Sequence, residues 1–187
     1  MARKDFGARP LSYVQPVYMI ATYDENGNPD IMNAAWGGIY DAHEMFFCLT
    51  PNHKTCQNFL KTGAFTVSCA TADKVVECDY LGIASANKVP DKVERSGFTV
   101  TKSEKVNAPI INELPVCIEC TLKSYDPDNR RCVGTIVNVS VNEDYLDDNG
   151  DVDVLKMKPI FFDPFNDEYF AATEYVGDAF TDGNKIQ

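Results

Sequence analysis

The stretch RCVGTIVNVSV, residues 131 to 141, decides the fold class of this chain. Every second residue from Val133 to Val141 is a valine or a threonine, so one face of an extended segment carries β-branched side chains throughout. A helix would not keep these side chains on one face, because its period is 3.6 residues. The pattern therefore predicts a long strand and a chain built mainly from β-structure.

Segments on both sides of this strand carry the same kind of signal. Val116 to Tyr125 precedes it, and the turn-forming sequence Asp-Pro-Asp-Asn joins the two segments. Nearer the N-terminus, an Asn-Gly pair lies between Val14 to Tyr23 and Asp30 to Tyr40, which predicts a hairpin because both turn residues tolerate positive φ. Shorter strands are predicted at residues 45–49, 64–69, 160–162 and 169–172.

Short helices are predicted only in the middle of the chain. Each candidate segment lies just before a glycine, the usual residue past a helix end. The segments are Lys54 to Lys61 before Gly63, Asp73 to Leu81 before Gly82, and Asp91 to Ser96 before Gly97. About six strands with tight turns, and helices confined to the middle, predict an antiparallel barrel with helical decoration. We expect residues 1–187 to form a single domain, since no linker or repeat divides them.

The composition narrows the range of partners. The 28 acidic and 17 basic residues give a formal net charge of −11, which repels nucleic-acid phosphates and anionic membranes, so neither is expected as a partner. No run approaches the roughly 20 apolar residues of a membrane span, and residues 1–16 lack the apolar core of a signal peptide. The seven cysteines are odd in number and lie mostly in apolar runs, which predicts free thiols in a reducing cytoplasm.

Motifs of the commonest catalytic and metal sites are absent. His43 and His53 are the only histidines, too few for a multi-histidine metal site. Cys117 and Cys120 form a C-x-x-C pair, but residues three apart on a strand point to opposite faces, so we expect two structural thiols. The sequence has no G-x-G-x-x-G, Walker A loop or G-x-S-x-G elbow, which argues against a Rossmann site, a P-loop and an acyl hydrolase.

Three segments carry small, polar or basic residues that a plain barrel would not need. Asn33 to Gly38 ends in two adjacent glycines, which indicate either the close approach of a ligand or a bulge or barrel corner. Thr50 to Phe59 leads into a helix start where Lys54 and His53 suit a phosphate, although a helix without any ligand has the same pattern. Gly82 to Gly97 holds cations and amides that suit an anion, or forms an exposed loop and helix.

Taken in order, these segments resemble the flavin reductase-like, FMN-binding split-barrel family, to which flavoredoxin belongs. The resemblance runs from about Val17 to Gly177. Members of that family often carry arginine at the position of His53, and Gly-Arg at the position of Ala86 and Asn87. The residues that carry the resemblance are Asn33-Ala34-Ala35-Trp36, His53-Lys54-Thr55-Cys56-Gln57-Asn58, Ser85 with Asp91-Lys92, Leu114-Pro115-Val116-Cys117-Ile118-Glu119-Cys120, Pro159-Ile160-Phe161-Phe162 and Tyr169-Phe170.

The resemblance implies a mainly β fold, a six-stranded antiparallel Greek-key split barrel with a few short helices, which forms a homodimer with FMN near the interface. It implies that the strand around Trp36 lies along the isoalloxazine ring, while the segments around Lys54 and Ser85 contact the phosphate and the ribityl chain. Backbone amides near the ring would stabilise charge on the reduced flavin. The residues assigned to the cofactor are Asn33, Ala34, Ala35, Trp36, His53, Lys54, Thr55, Asn58, Ser85 and Lys92.

The implied activity is electron transfer from NADH or NADPH through the flavin to a small-molecule or protein acceptor. No side chain is assigned an acid–base or nucleophilic role, because the flavin carries the redox chemistry. The alternative is a flavoredoxin-type carrier that holds FMN and exchanges electrons with protein partners without oxidising NAD(P)H itself. A third interpretation is a β-barrel without a cofactor.

Overall fold

A seven-stranded antiparallel sheet forms the centre of the computed structural model, which describes residues 1–186. A three-stranded sheet and a two-stranded hairpin accompany it. The strands are β1 (Gln15–Pro16), β2 (Tyr18–Tyr23), β3 (Pro29–Ala34), β4 (Gly37–Asp41), β5 (Glu44–Cys48), β6 (Ala64–Cys69), β7 (Val100–Lys102), β8 (Pro109–Ile111), β9 (Val116–Asp126), β10 (Arg131–Val141), β11 (Ile160–Asp163) and β12 (Glu168–Ala171). The helices are α1 (Lys54–Thr62), α2 (Val75–Ile83), α3 (Lys92–Ser96) and α4 (Val154–Met157), with 3-10 turns at Ala72–Lys74, Glu143–Tyr145 and Asp182–Lys185.

The main sheet curls because the chain crosses between its two edges. Its strands follow the order β3-β2-β6-β9-β10-β5-β4, so β3 and β4 are edge strands at opposite ends. Only Ala35 and Trp36 separate these two strands in sequence, and the connection from Ala34 to Gly37 can span at most about 11 Å. The two edges therefore come close together at this point, and the sheet forms a partly closed, split barrel.

The segment Asp30 to Tyr40 is not the single strand that its sequence pattern predicts. Its first part pairs with β2 and its second part with β5, so it forms two strands at different edges. Counted as one strand, β3 and β4 would give the six strands implied by the resemblance, whereas the sheet has seven. Periodicity misses the crossing because the change of direction occupies only Ala35 and Trp36, with an extended strand on each side.

Both faces of β2 are buried, and this places the helices outside the barrel. Tyr18 and Ile20 face the barrel interior, which also contains Phe59 from α1. Met19 and Ala21 face a second apolar layer, which α2, α3 and β11 cover. The chain therefore has two apolar layers that share β2, and the helices predicted in the middle of the sequence lie around them.

The predicted helices are present, but one predicted helix end is wrong. Gly63 and Gly97 follow α1 and α3 in the left-handed conformation, with φ of 72° and 78°. Gly82 does not end α2, because the helix continues to Ile83. A Cβ at Gly82 would lie 2.9 Å from the Cβ of Asn33, so glycine at this position allows α2 to approach β3 closely.

The long strand β10 departs from the simple alternation that its sequence predicts. Its register against β9 shifts after Val133 and again after Ile136. The second shift leaves Val137 without a partner on β9 and changes the face that later residues occupy; Val133 is buried, while Val137 and Val139 are 47% and 53% exposed. The β-branched face is therefore only partly a core face.

All seven cysteines are free thiols. Cys117 and Cys120 are buried on β9, and burial raises the pKa of each thiol to about 12, so both stay protonated at neutral pH. Within residues 1–186, no group of three or more His, Cys, Asp or Glu side chains is placed to hold a metal ion. Over the same residues, no helix is long and apolar enough to cross a membrane.

Candidate functional site

Helix α1 begins at one end of the barrel with its first backbone amides free. Cys56 and Phe59 are fully buried in the barrel core and fix the position of the helix. His53 precedes the helix with an extended backbone, and its side chain does not cap it. The amides of Lys54, Thr55 and Cys56 donate to no other group of residues 1–186. The positive end of the helix dipole is therefore surrounded by unpaired donors, which favours an anion.

The connection between α2 and α3 closes over this helix end. The side chain of Asn87 donates to the backbone oxygen of Asn52, 2.9 Å away, at the turn before α1. A turn orders the connection itself, because the amides of Lys88 and Val89 both donate to the carbonyl oxygen of Ser85. This connection and the end of α2 form the wall opposite α1, and Ser85 is exposed at its rim.

A buried ion pair lies at the base of this region. Asp30 on β3 and Lys92 on α3 are 2% and 3% exposed, and Asp30 Oδ1 lies 3.2 Å from Lys92 Nζ. Lys92 also donates to the backbone oxygens of Leu81 at 3.2 Å and Ala84 at 3.0 Å. The hydroxyl of Thr55 donates to Asp30 Oδ2 at 2.5 Å. The pair therefore holds β3, α1, α3 and the end of α2 around one point.

Two buried polar atoms in this region lack a hydrogen-bond partner among the described residues, Asp30 Oδ1 and His53 Nδ1. The approach of Lys92 to Asp30 Oδ1 is a charge contact without hydrogen-bond geometry. The other ring nitrogen of His53, Nε2, lies 2.8 Å from Thr50 Oγ1. Buried polar atoms without a partner are uncommon in folded proteins and indicate the place of a ligand or a water molecule.

The charge state of His53 follows from its surroundings. Burial lowers the pKa of the imidazole, the positive charge of Lys92 lowers it further, and the negative charge of Asp30 opposes them by a smaller amount. With a pKa below its ordinary value near 6.5, the ring is neutral at pH 7. In the absence of an anion, the fixed positive charges here are therefore those of the two lysines, Lys54 and Lys92.

These groups line one pocket of about 300 Å³, which we call the α1 pocket. Lys54 makes no ion pair with any residue in the described part of the chain, so its charge is available to a ligand. Lys92 already faces three protein oxygens, so it contributes charge rather than a free donor. Of the residues predicted to bind a cofactor, those that line the α1 pocket are Asn33, His53, Lys54, Thr55, Ser85 and Lys92.

The other predicted residues lie outside the α1 pocket. Asn58 lines a neighbouring pocket of about 590 Å³ that shares Lys54 with it, and its amide nitrogen donates to a buried threonine hydroxyl 3.1 Å away. Ala34 is part of the barrel core. Ala35 and Trp36 lie where β3 leads into β4, and they line a separate hollow.

This second cavity, the Trp36 hollow, has a volume of about 280 Å³, and no Asp, Glu, Lys or Arg among residues 1–186 lines it. Trp36 is 49% exposed at its edge, and the thiol of Cys48 is also exposed. Gln15 Oε1 is buried and accepts no hydrogen bond from residues 1–186. An uncharged surface with an aromatic side chain and one free acceptor suits a planar heteroaromatic ring that carries an N–H group. The lining residues are Ser12, Val14, Gln15, Pro16, Ala35, Trp36, Gly37, Phe46 and Cys48.

Comparison with known proteins identifies the family to which this architecture belongs. Residues 11–156 match the model of the flavin reductase like domain, and this span is well over half of the chain. The chain belongs to the flavin reductase-like domain family. Its structure is similar to that of flavoredoxin from Desulfovibrio vulgaris (Miyazaki F), with 35% sequence identity and a TM-score of 0.92 over 97% of this chain and 100% of that one.

More distant members of the flavin reductase-like family share the fold. Flavoredoxin from Methanosarcina acetivorans is 24% identical and superimposes with a TM-score of 0.88 over the full length of both chains. An FMN-binding domain of a flavin reductase-like enzyme from Shewanella baltica is 14% identical, with a TM-score of 0.76 over 88% of this chain and 89% of that one. The family resemblance and the mainly β split-barrel fold are therefore confirmed. The assignment of individual residues to a cofactor stays a prediction.

The structure gives a role to one position at which this flavin reductase-like chain departs from the family pattern. Asn87, where family members often carry arginine, ties the α2–α3 connection to the turn before α1. The glycines that suggested a ligand or a corner also have a local explanation. A Cβ at Gly37 would lie 2.2 Å from the ring of Phe47, so this glycine permits the close pairing of β4 with β5 at the corner.

Sequence reasoning missed two residues of the site. Asp30 follows a turn at the start of a predicted strand, where carboxylates are usually solvated, so nothing in the sequence indicates that it is buried. Gln15 precedes a proline in the first predicted strand and comes to lie beside Trp36 only through the curl of the barrel. No local pattern indicates either contact.

Proposed function

We propose that this chain binds FMN as a redox cofactor and transfers electrons through it. The observation that carries the proposal is the α1 pocket, where an uncapped helix start, the unpaired charge of Lys54 and an unpartnered histidine nitrogen converge. A phosphate monoester needs several hydrogen-bond donors and positive charge, and this pocket supplies both.

The residues present fit the two ends of FMN. In the α1 pocket, the first amides of α1 and Lys54 would hold the phosphate. Asp30 Oδ1, a buried acceptor without a hydrogen bond, suits a hydroxyl group of the ribityl chain rather than a phosphate oxygen. In the Trp36 hollow, the free acceptor of Gln15 suits a ring N–H, and Trp36 supplies an aromatic surface.

Strand β3 connects the two cavities. Met32 and Asn33 line the α1 pocket, and Ala35 and Trp36, next along the chain, line the hollow. The distance from Met32 to Trp36 along the backbone is at most about 14 Å. One ligand with an anionic tail and a planar head, lying along β3, would therefore contact both cavities.

The protein's part in the reaction is positioning. When bound, the cofactor supplies hydride or single-electron transfer, which no side chain here can supply. Cys48 is the only ionisable group among the described residues that line the Trp36 hollow. The side chains there would exclude water and orient the ring, and backbone amides near Ala35 to Gly37 would face its edge. We therefore assign no acid, base or nucleophile.

Two versions of this function differ in the electron donor. In the first, the chain is an NAD(P)H-dependent reductase that takes a hydride from NADH or NADPH and passes electrons to a small-molecule or protein acceptor. In the second, it is an electron carrier, which the 35% identity to a flavoredoxin over nearly the whole chain supports. The net charge of −11 favours a basic protein as the partner of such a carrier.

A homodimer forms part of the proposal. Three large side chains next to or on the edge strand β4 are exposed, Trp36 at 49%, Ile39 at 65% and Tyr40 at 58%. Edge strands with exposed apolar side chains tend to be covered by a partner. A second copy over β4 would place the interface beside the Trp36 hollow and shield the ring from water. Sedimentation velocity tests this, since a monomer at micromolar concentration would contradict it.

The first experiment is a visible absorption spectrum of the purified, desalted protein before and after anaerobic addition of NADH, then NADPH. A flavin spectrum that bleaches with either nucleotide supports the reductase. A flavin spectrum that stays unbleached supports the carrier. A colourless protein that binds no added FMN would contradict the proposed function.

A matched pair of variants tests the location of the phosphate. We expect Lys54→Ala to weaken FMN binding by about tenfold to a hundredfold, because one charge-assisted contact to phosphate contributes about 1.5–3 kcal/mol. Lys61→Ala is the control, since Lys61 lies at the other end of the same helix and pairs with exposed Glu25. Riboflavin, which lacks the phosphate, should bind wild type and both variants alike. Equal loss of FMN affinity in both variants would place the phosphate elsewhere.

A further inference from the structure

His53 is placed to respond to an anion in the α1 pocket. Its Nε2 atom is paired with Thr50 Oγ1 at 2.8 Å, whereas Nδ1 is buried and has no partner among residues 1–186. A protonated imidazole carries a hydrogen on both ring nitrogens, so each nitrogen then needs an acceptor. Thr50 supplies one acceptor, and the described residues supply none for the other.

The charged groups that face His53 come from three elements. Asp30 faces it from β3 and Lys92 from α3, and these two are paired with each other. Lys54 follows directly on α1 and lines the same pocket. The end of α2 and the start of its connection add only apolar side chains, backbone groups and the hydroxyl of Ser85. Without an anion, the net effect of this surrounding is to keep the ring neutral, because burial and Lys92 outweigh Asp30.

We propose that His53 is a protonatable ligand of the flavin phosphate, so that FMN binding takes up a proton and the preference for FMN over riboflavin increases as the pH falls. This inference rests on the proposed function. It is specific to this chain, because a permanently charged arginine at the same position would bind phosphate without any such coupling.

The direction of the effect follows from linkage between proton and ligand. A phosphate dianion in the pocket favours the imidazolium, so the pKa of His53 in the complex lies above the lowered pKa of the free protein. Between these two values, binding is accompanied by proton uptake, and affinity rises by up to about tenfold for each unit of pH decrease. Above the pKa of the complex and below that of the free protein, this contribution is constant. Riboflavin has no phosphate and should not show it.

The test is a fluorescence titration of the flavin-free protein with FMN and with riboflavin at pH 8 and pH 6. We expect the ratio of the two affinities to change in favour of FMN by about fivefold or more between these values. The phosphate of FMN has a second pKa near 6 and releases or binds protons in the same range. Its contribution is common to all variants, so the comparison with His53→Gln isolates the histidine.

Two substitutions and one control complete the design. His53→Gln keeps a polar side chain but cannot become charged, and we expect it to lose the increase at pH 6. His53→Arg should bind FMN at least as tightly at pH 8 and show the same loss of pH dependence. His43→Gln is the control, because His43 is the only other histidine and lies exposed on the β4–β5 turn. It should behave as wild type.

Nuclear magnetic resonance gives a readout that is independent of affinity. The two histidines give two sets of imidazole signals, the His43→Gln variant identifies the set that belongs to His53, and addition of FMN should raise the pKa of His53. If wild type and His53→Gln share one pH dependence, or if the pKa of His53 does not move, the inference is wrong although the protein binds FMN. If FMN does not bind at any pH, the proposed function fails first and the inference fails with it.

Discussion

The α1 pocket and the Trp36 hollow differ in what holds them together. Around the pocket, buried polar groups bond to one another, and the ion pair of Asp30 with Lys92 joins four elements. Around the hollow, the walls come from β5, from the segment before β2 and from the connection between β3 and β4, where Trp36 is half exposed. A pocket with charged side chains fixes position and charge, while an uncharged hollow provides surface area, and a cofactor with an anionic tail and a planar ring needs both.

The difference predicts which substitutions act on folding and which act on binding. The polar network of the α1 pocket is buried, so substitutions in it should lower the free energy of unfolding of the whole protein. The Trp36 hollow lies at the surface, so substitutions of its side chains should have a smaller effect on stability and a direct effect on the affinity for the flavin ring. Two pairs of variants separate these outcomes.

The largest effect should come from breaking the buried ion pair. Asp30→Ala leaves Lys92 charged, 3% exposed and without its carboxylate, and removes the acceptor of the Thr55 hydroxyl. We expect a loss of about 3–5 kcal/mol in the free energy of unfolding, measured by urea denaturation of the flavin-free protein.

The control for this substitution is Glu25→Ala, because Glu25 forms an exposed ion pair with Lys61. Exposed pairs contribute about 0–1 kcal/mol, so this variant should unfold almost as wild type does. Similar losses in both variants would show that the Asp30–Lys92 pair is not shielded from water as its burial indicates.

A smaller effect, on flavin binding rather than on the stability of the monomer fold, should follow from Trp36→Ala. We expect FMN and riboflavin to lose affinity by the same factor, about three- to tenfold, because an aromatic contact contributes about 0.5–1.5 kcal/mol and does not involve the phosphate. Phe170→Ala is the control, since Phe170 is exposed to a similar degree, 46%, on β12. A larger loss for FMN than for riboflavin would place Trp36 near the phosphate and contradict the arrangement along β3.

The sequence predicted the α1 pocket better than the Trp36 hollow. The reason is that several residues of the pocket are adjacent in the sequence, whereas the residues of the hollow come from separate segments. His53, Lys54 and Thr55 adjoin one another at a helix start, so a local pattern was enough to group them. Ser85 and Lys92 lie near them because α2 packs against β3. Only the family resemblance implied that these two residues are close to the start of α1. The charge pairing of Lys92 could not be predicted, since no pattern indicates that Asp30 is buried.

The barrel fold was predicted correctly, but the number of its strands was not. Alternation along β10 and the turn signals around it were sufficient to establish a mainly β fold. The crossing occupies only Ala35 and Trp36, so in the sequence the two strands at opposite edges form one continuous pattern. The hollow lies at this crossing, and for that reason the cofactor residues implied by the family resemblance include Trp36 but not its neighbour Gln15.

Gln15→Leu should give an effect no larger than that of Trp36→Ala, and it tests most directly whether the hollow binds the ring. Gln15 Oε1 is a buried acceptor without a partner in the described residues, and such an atom costs about 1–3 kcal/mol unless something donates to it. If a ring N–H is that donor, Gln15→Leu should weaken FMN and riboflavin alike by about threefold to tenfold, the effect of one hydrogen bond. If no ligand donates there, the same substitution should leave both affinities unchanged and stabilise the flavin-free protein, because it removes an unsatisfied polar atom. Flavin titration and urea denaturation of this single variant therefore decide whether the hollow binds the ring.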